Sequence, residues 1–199
     1  MSDGPTGISE ADGRLLTALV VATRPRRCVE LGSGTGAGTT AIIKGLAATG
    51  RCGRLATFDR KPEYVAAAAI AAKNVLGGDL LDQMPFDSHG AEARARATVL
   101  KGHGGVGFLF VDADHRAEGV AADLDVWLPA MAERGIVVLH DATAERPGLG
   151  VLASLRLMWD GDWTGLVFPH GCGYSTGGPD DNGLAILQRR LCWQRYEIA

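Results

Sequence analysis

The chain has 199 residues, 46% of them hydrophobic, and a formal net charge of −3. That length allows one domain or barely two, and the composition leaves ample material for a core and nothing that reads as disordered. The charge gives no electrostatic case for nucleic acid or an anionic membrane surface as partner. No apolar run reaches the roughly 20 residues that cross a bilayer, and the polar, Gly-containing N-terminus lacks a signal-peptide core. Cys28, Cys52, Cys172 and Cys192 form no C-x-x-C pair and read as free thiols of a cytoplasmic protein.

Helix and strand patterns alternate along the chain. Residues 9–23 predict a helix carrying Leu15, Leu16, Leu19 and Val20 on one face and ending at Arg24-Pro25, so residues 1–26 form an N-terminal helical segment. Cys28 to Leu31 reads as the first strand and Gly38 to Ala48 as the first crossover helix. Leu55 to Phe58 is the second strand, and Pro62 opens an Ala-rich helix to about Leu76. Ala97 to Leu100 is expected as a short third strand and Val106 to Val111 as the fourth. Val120, Leu124, Trp127, Leu128 and Met131 make a helical stripe, and Ile136 to Leu139 is the fifth strand. A helix over 151–159 follows. The last two strands, about Thr164 to Phe168 and Leu184 to Gln188, are joined by a Gly-rich loop and pair as a hairpin. The expectation is a single α/β domain over 1–199, Rossmann-like, with seven mostly parallel strands, helices on both faces and a C-terminal antiparallel hairpin.

Val29-Glu30-Leu31-Gly32-Ser33-Gly34-Thr35-Gly36 is the most informative segment. An apolar run followed by alternating glycines describes a buried strand opening into a tight loop that a ligand approaches closely. An acid two residues before the first glycine would repel a pyrophosphate and suits a cation carrying an ammonium and a sulfonium. Read as G-x-G-x-x-A, the same residues also fit a dinucleotide loop. The segment resembles the first motif, E/D-x-G-x-G-x-G, of the class I S-adenosyl-L-methionine-dependent methyltransferases. That resemblance implies donor contacts from Glu30, Gly32, Ser33, Gly34 and Gly36.

Polar residues collect where strands end: Glu30 to Gly36, Asp59, Asp112 and His140-Asp141. In an open parallel sheet that edge is where ligands bind. Asp59 suits two ribose hydroxyls, of adenosylmethionine or NAD alike; as a plain helix cap before Pro62 it would say nothing of a ligand. With strands four and five adjacent, their ends stand roughly 5 Å apart. Asp112 and Asp141 could then share a divalent cation such as Mg²⁺, with His115 as general base. The bland alternative is a capping Asp plus ordinary surface histidines.

Val-Asp-Ala-Asp-His-Arg-Ala-Glu-Gly, Asp-Leu-Asp-Val-Trp-Leu-Pro and Gly-Ile-Val-Val-Leu-His-Asp resemble the metal-dependent small-molecule O-methyltransferases. These include the catechol type and, closer here, the macrocin and mycinamicin sugar O-methyltransferases. By that resemblance Asp112 and Asp141 hold the metal, Asp112 also borders the donor, and His115 is the base. His140 is a third metal contact or the competing base, and the protein is a homodimer. Two departures stand out: Ala142 occupies the place of an amide ligand, and the loop Lys101 to Gly105 is short for adenine contacts. Strand alternation would turn His140 away from Asp141, which favours His115.

Lesser candidates are His103, reaching the adenine side, and the stretch Leu80 to His89 as a lid. Trp159, Trp163 and the His170 to Tyr174 segment are candidates for closing the acceptor side. Arg24, Arg26 and Arg27 are too few for a basic patch. The reading is a transfer of methyl from S-adenosylmethionine to a hydroxyl of a small molecule, favouring a sugar or glycosylated metabolite. Its rivals are an NAD(P)-dependent oxidoreductase, for which no Tyr-x-x-x-Lys appears, and a non-catalytic nucleoside-binding module.

Overall fold

The computed structural model describes residues 8–50, 53–75, 77–142, 151, 158, 162–172 and 183–189. Helix α1 (Glu10–Thr23) starts where the Ser9 hydroxyl accepts the Asp12 N–H at 3.1 Å, satisfying one of the donors a helix start leaves free. It ends at Arg24, in the left-handed region at φ 48°, just before Pro25. There follow β1 (Arg27–Leu31), α2 (Ala37–Ala48), β2 (Arg54–Phe58), α3 (Pro62–Asn74) and β3 (Leu81–Met84). Then come α4 (Ala91–Gly102), β4 (Val106–Val111), α5 (Ala117–Trp127), β5 (Met131–His140), β6 (Trp163–Cys172) and β7 (Leu184–Arg189).

All seven strands form one sheet in the order β3-β2-β1-β4-β5-β7-β6. β1 to β5 pair in parallel, while β7 runs antiparallel to both β5 and β6, so the expected fold and its terminal hairpin are present. The chain steps outward from β1 on one side and from β4 on the other, which opens a crevice at the carboxyl ends of those two strands. Both sheet faces are covered. Val29, Leu31, Phe58, Leu109, Val111 and Trp127 fill one core; Leu16, Val20, Ile42, Leu46, Leu55, Phe108 and Phe110 fill the other.

One element was misplaced. Residues 97–100 are not a strand but part of α4, and the third strand is Leu81–Met84. Ala93, Ala97 and Leu100 are buried and recur at helical spacing on one face. β3 is an edge strand whose Asp82 is only half-buried and whose Gln83 is exposed, so it lacks the apolar run that marks interior strands. His103 consequently caps the end of α4, ahead of β4, and lies at the sheet edge opposite the crevice. The helical stripe also ends early: Met131 is already the first residue of β5. Of the expected helix at 151–159 only Val151 and Met158 are described, both helical and buried; Trp159 and the side chains of His170 to Tyr174 lie outside the described residues. Among the described residues no helix is long and apolar enough to cross a membrane.

Candidate functional site

A cavity of about 440 Å³ occupies the crevice. Its first wall is the loop after β1. Gly32 is held at φ 85°, where a Cβ would strike the Asp112 carbonyl, and Gly36 takes φ 88° as the residue opening α2. Only glycine adopts both without strain. Asp59, at the end of β2, pins this loop: its Oδ2 accepts the N–H groups of Ser33 at 3.1 Å and Gly34 at 3.2 Å. Its Oδ1 accepts the Lys61 N–H at 3.0 Å. Gly32, Ser33, Gly34 and Asp59 all line the cavity, and Gly36 does not.

Glu30 is placed differently from a lining residue. It is fully buried beneath the loop, where its Oε2 accepts the hydroxyls of Thr39 and Thr57 at 2.6 Å each. Its Oε1 has no hydrogen-bond partner and faces Gly38, where a Cβ would stand 2.5 Å away. Burial pushes its carboxyl up to about 7, against the lowering effect of the two hydroxyls.

The loop after β3, within the Leu80 to His89 stretch expected as a lid, forms a second wall of the cavity. Phe86, Asp87, Ser88 and His89 line the cavity, together with Tyr64 and Lys61 of the neighbouring α3 turn. Two residues of α5, one helical turn apart, hold this loop. Trp127 donates its Nε1–H to the Ser88 carbonyl at 2.8 Å, and Asp123, fully buried, sits 3.1 Å from His89 Nδ1. Burial raises the Asp123 carboxyl, and its Oδ2 has no partner. An acid after β3 would have been a signal had the strand been placed correctly.

The far end of the cavity brings together Asp112, His115, His140 and Asp141. β4 and β5 are paired in register up to Val111 and Leu139, so their next residues stand side by side. His140 does not turn aside. Asp141 breaks the strand at φ 56°, a conformation that costs a non-glycine residue about 1–2 kcal/mol, and the turn brings both side chains to the same cluster. His140 Nδ1 lies 3.0 Å from Asp112 Oδ1 and 3.4 Å from Asp141 Oδ1. His115 Nδ1 lies 3.1 Å from Asp141 Oδ2, and its Nε2 lies 3.7 Å from Asp112 Oδ1. Burial opposes the charge on His140, but the two carboxylates outweigh it and raise the ring to about 9. Asp114 turns away to Arg116, whose guanidinium holds it down to about 2.

The metal ligands implied by the resemblance meet this arrangement only in part. Asp112 and Asp141 are oxygen donors of the right type, and both border His115 and His140. The point between them is taken by His140 Nδ1, however, and among the described residues no group of three or more His, Cys, Asp or Glu is arranged to hold a metal ion. The cluster as placed does not fit a divalent cation.

A Gly-rich loop, a strand-end carboxylate and a His–Asp cluster thus meet around one crevice of an open doubly wound sheet, the place where such α/β folds bind ligands. The chain belongs to the methyltransferase domain family, which matches residues 29–142. No curated protein matches the chain. Among solved structures it is similar to cofactor-bound Rv0187 from MTB, with a TM-score of 0.74 and 18% identity over 94% of this chain and 83% of that one. It is also similar to an O-methyltransferase from Bacillus cereus in complex with SAH, with a TM-score of 0.68, 15% identity, and 94% and 84% covered. A third is the O-methyltransferase TomG from Streptomyces achromogenes, involved in tomaymycin synthesis and solved with SAM, with a TM-score of 0.68, 20% identity, and 94% and 83% covered.

Proposed function

We propose that the protein transfers a methyl group from S-adenosylmethionine to a hydroxyl of a small molecule, a sugar or glycosylated metabolite being the favoured acceptor. The observation that carries this is one continuous cavity. It runs from the Gly32–Gly34 loop and Asp59, past the loop after β3, to His115 and its carboxylate partners.

Asp59 is suited to accept the ribose hydroxyls, and Phe86, Ser88 and His89 to bound the adenine. Glu30 lies beneath the loop as a buried carboxyl raised to about 7, and a cationic donor above it would favour its ionised form. When bound, the donor supplies an electrophilic methyl on a sulfonium that leaves as a neutral thioether. Asp141 Oδ2, 3.1 Å from His115 Nδ1, orients the ring, which leaves Nε2 as the atom to take the proton of the attacking hydroxyl. His140, held as an imidazolium between the carboxylates, keeps those charges from repelling one another and is the poorer base at neutral pH. The acceptor oxygen gains the carbon bond, the sulfur–carbon bond breaks, and the proton ends on His115.

A Mg²⁺ held by Asp112 and Asp141 is the second reading. It is favoured by Asp141 Oδ1, buried without a hydrogen bond, and it requires His140 to vacate the point between the carboxylates. Titration with S-adenosylhomocysteine and NADH is expected to show selective binding of the former; binding of NADH instead would refute the methyltransferase reading. Full turnover after exhaustive chelation is expected. Activity lost on chelation and restored by Mg²⁺ would replace the imidazolium by a metal.

A further inference from the structure

A second cavity, of about 540 Å³, lies at the opposite edge of the sheet and shares no lining residue with the first. Arg26 and Arg27 lead into β1, Arg54 begins β2, Asp82 lies in β3 and Arg96 projects from α4; Cys28, Ala56 and Leu100 complete the lining. Four guanidiniums therefore surround one carboxylate, in a chain whose net charge is −3.

The ion pairing leaves much of that positive charge unspent. Asp82 accepts from Arg54 on both oxygens and from Arg96 Nη2 at 3.1 Å. Arg54 also donates to the Asp79 carbonyl at 2.9 Å. Arg96 Nε is buried with no hydrogen-bond partner, and neither Arg26 nor Arg27 forms an ion pair among the described residues. Arg27 and Arg54 are register partners on adjacent parallel strands, so like charges project side by side from one sheet face, an arrangement that costs stability when nothing lies between them. An anion there would remove that repulsion, satisfy the buried N–H and use guanidinium forks whose geometry matches phosphate oxygens.

We propose that this cavity binds a small phosphate- or pyrophosphate-bearing anion, at a site separate from the methyl-transfer crevice. Its volume falls in the range of small-molecule sites. A polynucleotide would call for an extended basic face and an excess of positive charge, and here the basic residues line one concavity of an acidic chain.

The test is calorimetric titration of inorganic pyrophosphate into the full chain at constant ionic strength, with and without S-adenosylhomocysteine. Saturable binding that persists with S-adenosylhomocysteine present is expected. It should weaken about tenfold in Arg27→Gln and in Arg96→Gln, the loss of one charge-assisted contact, about 1.4 kcal/mol. Unchanged unfolding midpoints would show that both variants fold. Absence of saturable binding, equal binding by both variants, or displacement by S-adenosylhomocysteine would overturn the proposal. So would a single-stranded oligonucleotide that binds more tightly and expels the pyrophosphate.

Discussion

Replacing Glu30 by Gln tests the buried charge beneath the Gly-rich loop. The side chain is fully buried and its carboxyl is raised from 4.5 to about 7. Because the folded protein holds this proton more tightly than the unfolded chain, the contribution of Glu30 to stability is fully present below pH 4.5 and is lost as the pH rises through about 7. The interval corresponds to about 3 kcal/mol against the ionised form, at 1.36 kcal/mol for each pH unit. Glu30→Gln keeps the shape and an oxygen for Thr39 and Thr57 but cannot ionise. Urea unfolding of both proteins from pH 4.5 to 8 should show the wild type losing about 3 kcal/mol relative to the variant, other titrations cancelling in the difference. At pH 8 the variant should be the more stable protein and the weaker binder of S-adenosylmethionine. Parallel stability curves would refute the buried-charge assignment; unchanged donor affinity would leave Glu30 a structural group.

Asp59→Ala removes both the clamp on the Ser33 and Gly34 amides and the proposed ribose acceptor, and should weaken S-adenosylhomocysteine binding by about 1–3 kcal/mol in calorimetry. His115→Ala should lower kcat by about 10²–10⁴-fold; if His140→Ala proves far more damaging with folding intact, the base stands on β5. The ion pairs of His140 should contribute stability that is complete below pH 6.5 and lost as the pH rises through about 9, which a comparison of wild type with His140→Gln would read. Asp123→Asn should loosen His89 and raise KM for the donor by about 1–2 kcal/mol while kcat at saturation holds; an equal fall in kcat would assign Asp123 to global packing.

Interior strands were readable because burial on both faces leaves a continuous apolar run, and β4 was placed at Val106–Val111 without error. β3 failed for the converse reason. Its position at the sheet edge tolerates Asp82 and Gln83, while Ala97 to Leu100 imitates a strand inside a helix. That one slip left Phe86 to His89 as part of a lid candidate rather than as the loop that follows the third strand, and sent His103 to the wrong edge. The strand-end acids were legible because parallel topology gathers carboxyl ends at one crevice. The direction of Glu30 was less so. Val29 and Leu31 belong to one core and Cys28 to the other, so alternation turns Glu30 beneath the loop rather than into the cavity. The inward turn of His140 depends on the left-handed Asp141, which no periodicity announces. The basic cavity was invisible for a further reason: Arg27, Arg54 and Arg96 are distant in sequence and meet only through the strand register and α4.

The charge arrangement gives the crevice a simple logic. Glu30, Asp59, Asp112 and Asp141 place four acids at or beneath one edge of the sheet; hydroxyls and backbone N–H groups serve Glu30 and Asp59, whereas Asp112 and Asp141 border imidazoles. His140, raised to about 9, supplies a cation at neutral pH. A sulfonium donor would supply another, and its reaction leaves a neutral thioether while the hydroxyl proton moves to His115. Positive charge is thereby relocated from sulfur to imidazole and never removed from the acids around it. On the proposed route, with His115 as proton acceptor, the cluster keeps its balance of charge through the transfer. Asp141 Oδ2, 3.1 Å from His115 Nδ1, holds the orientation of that ring. Asp141→Asn should therefore depress turnover through the orientation of His115 while leaving the donor wall intact.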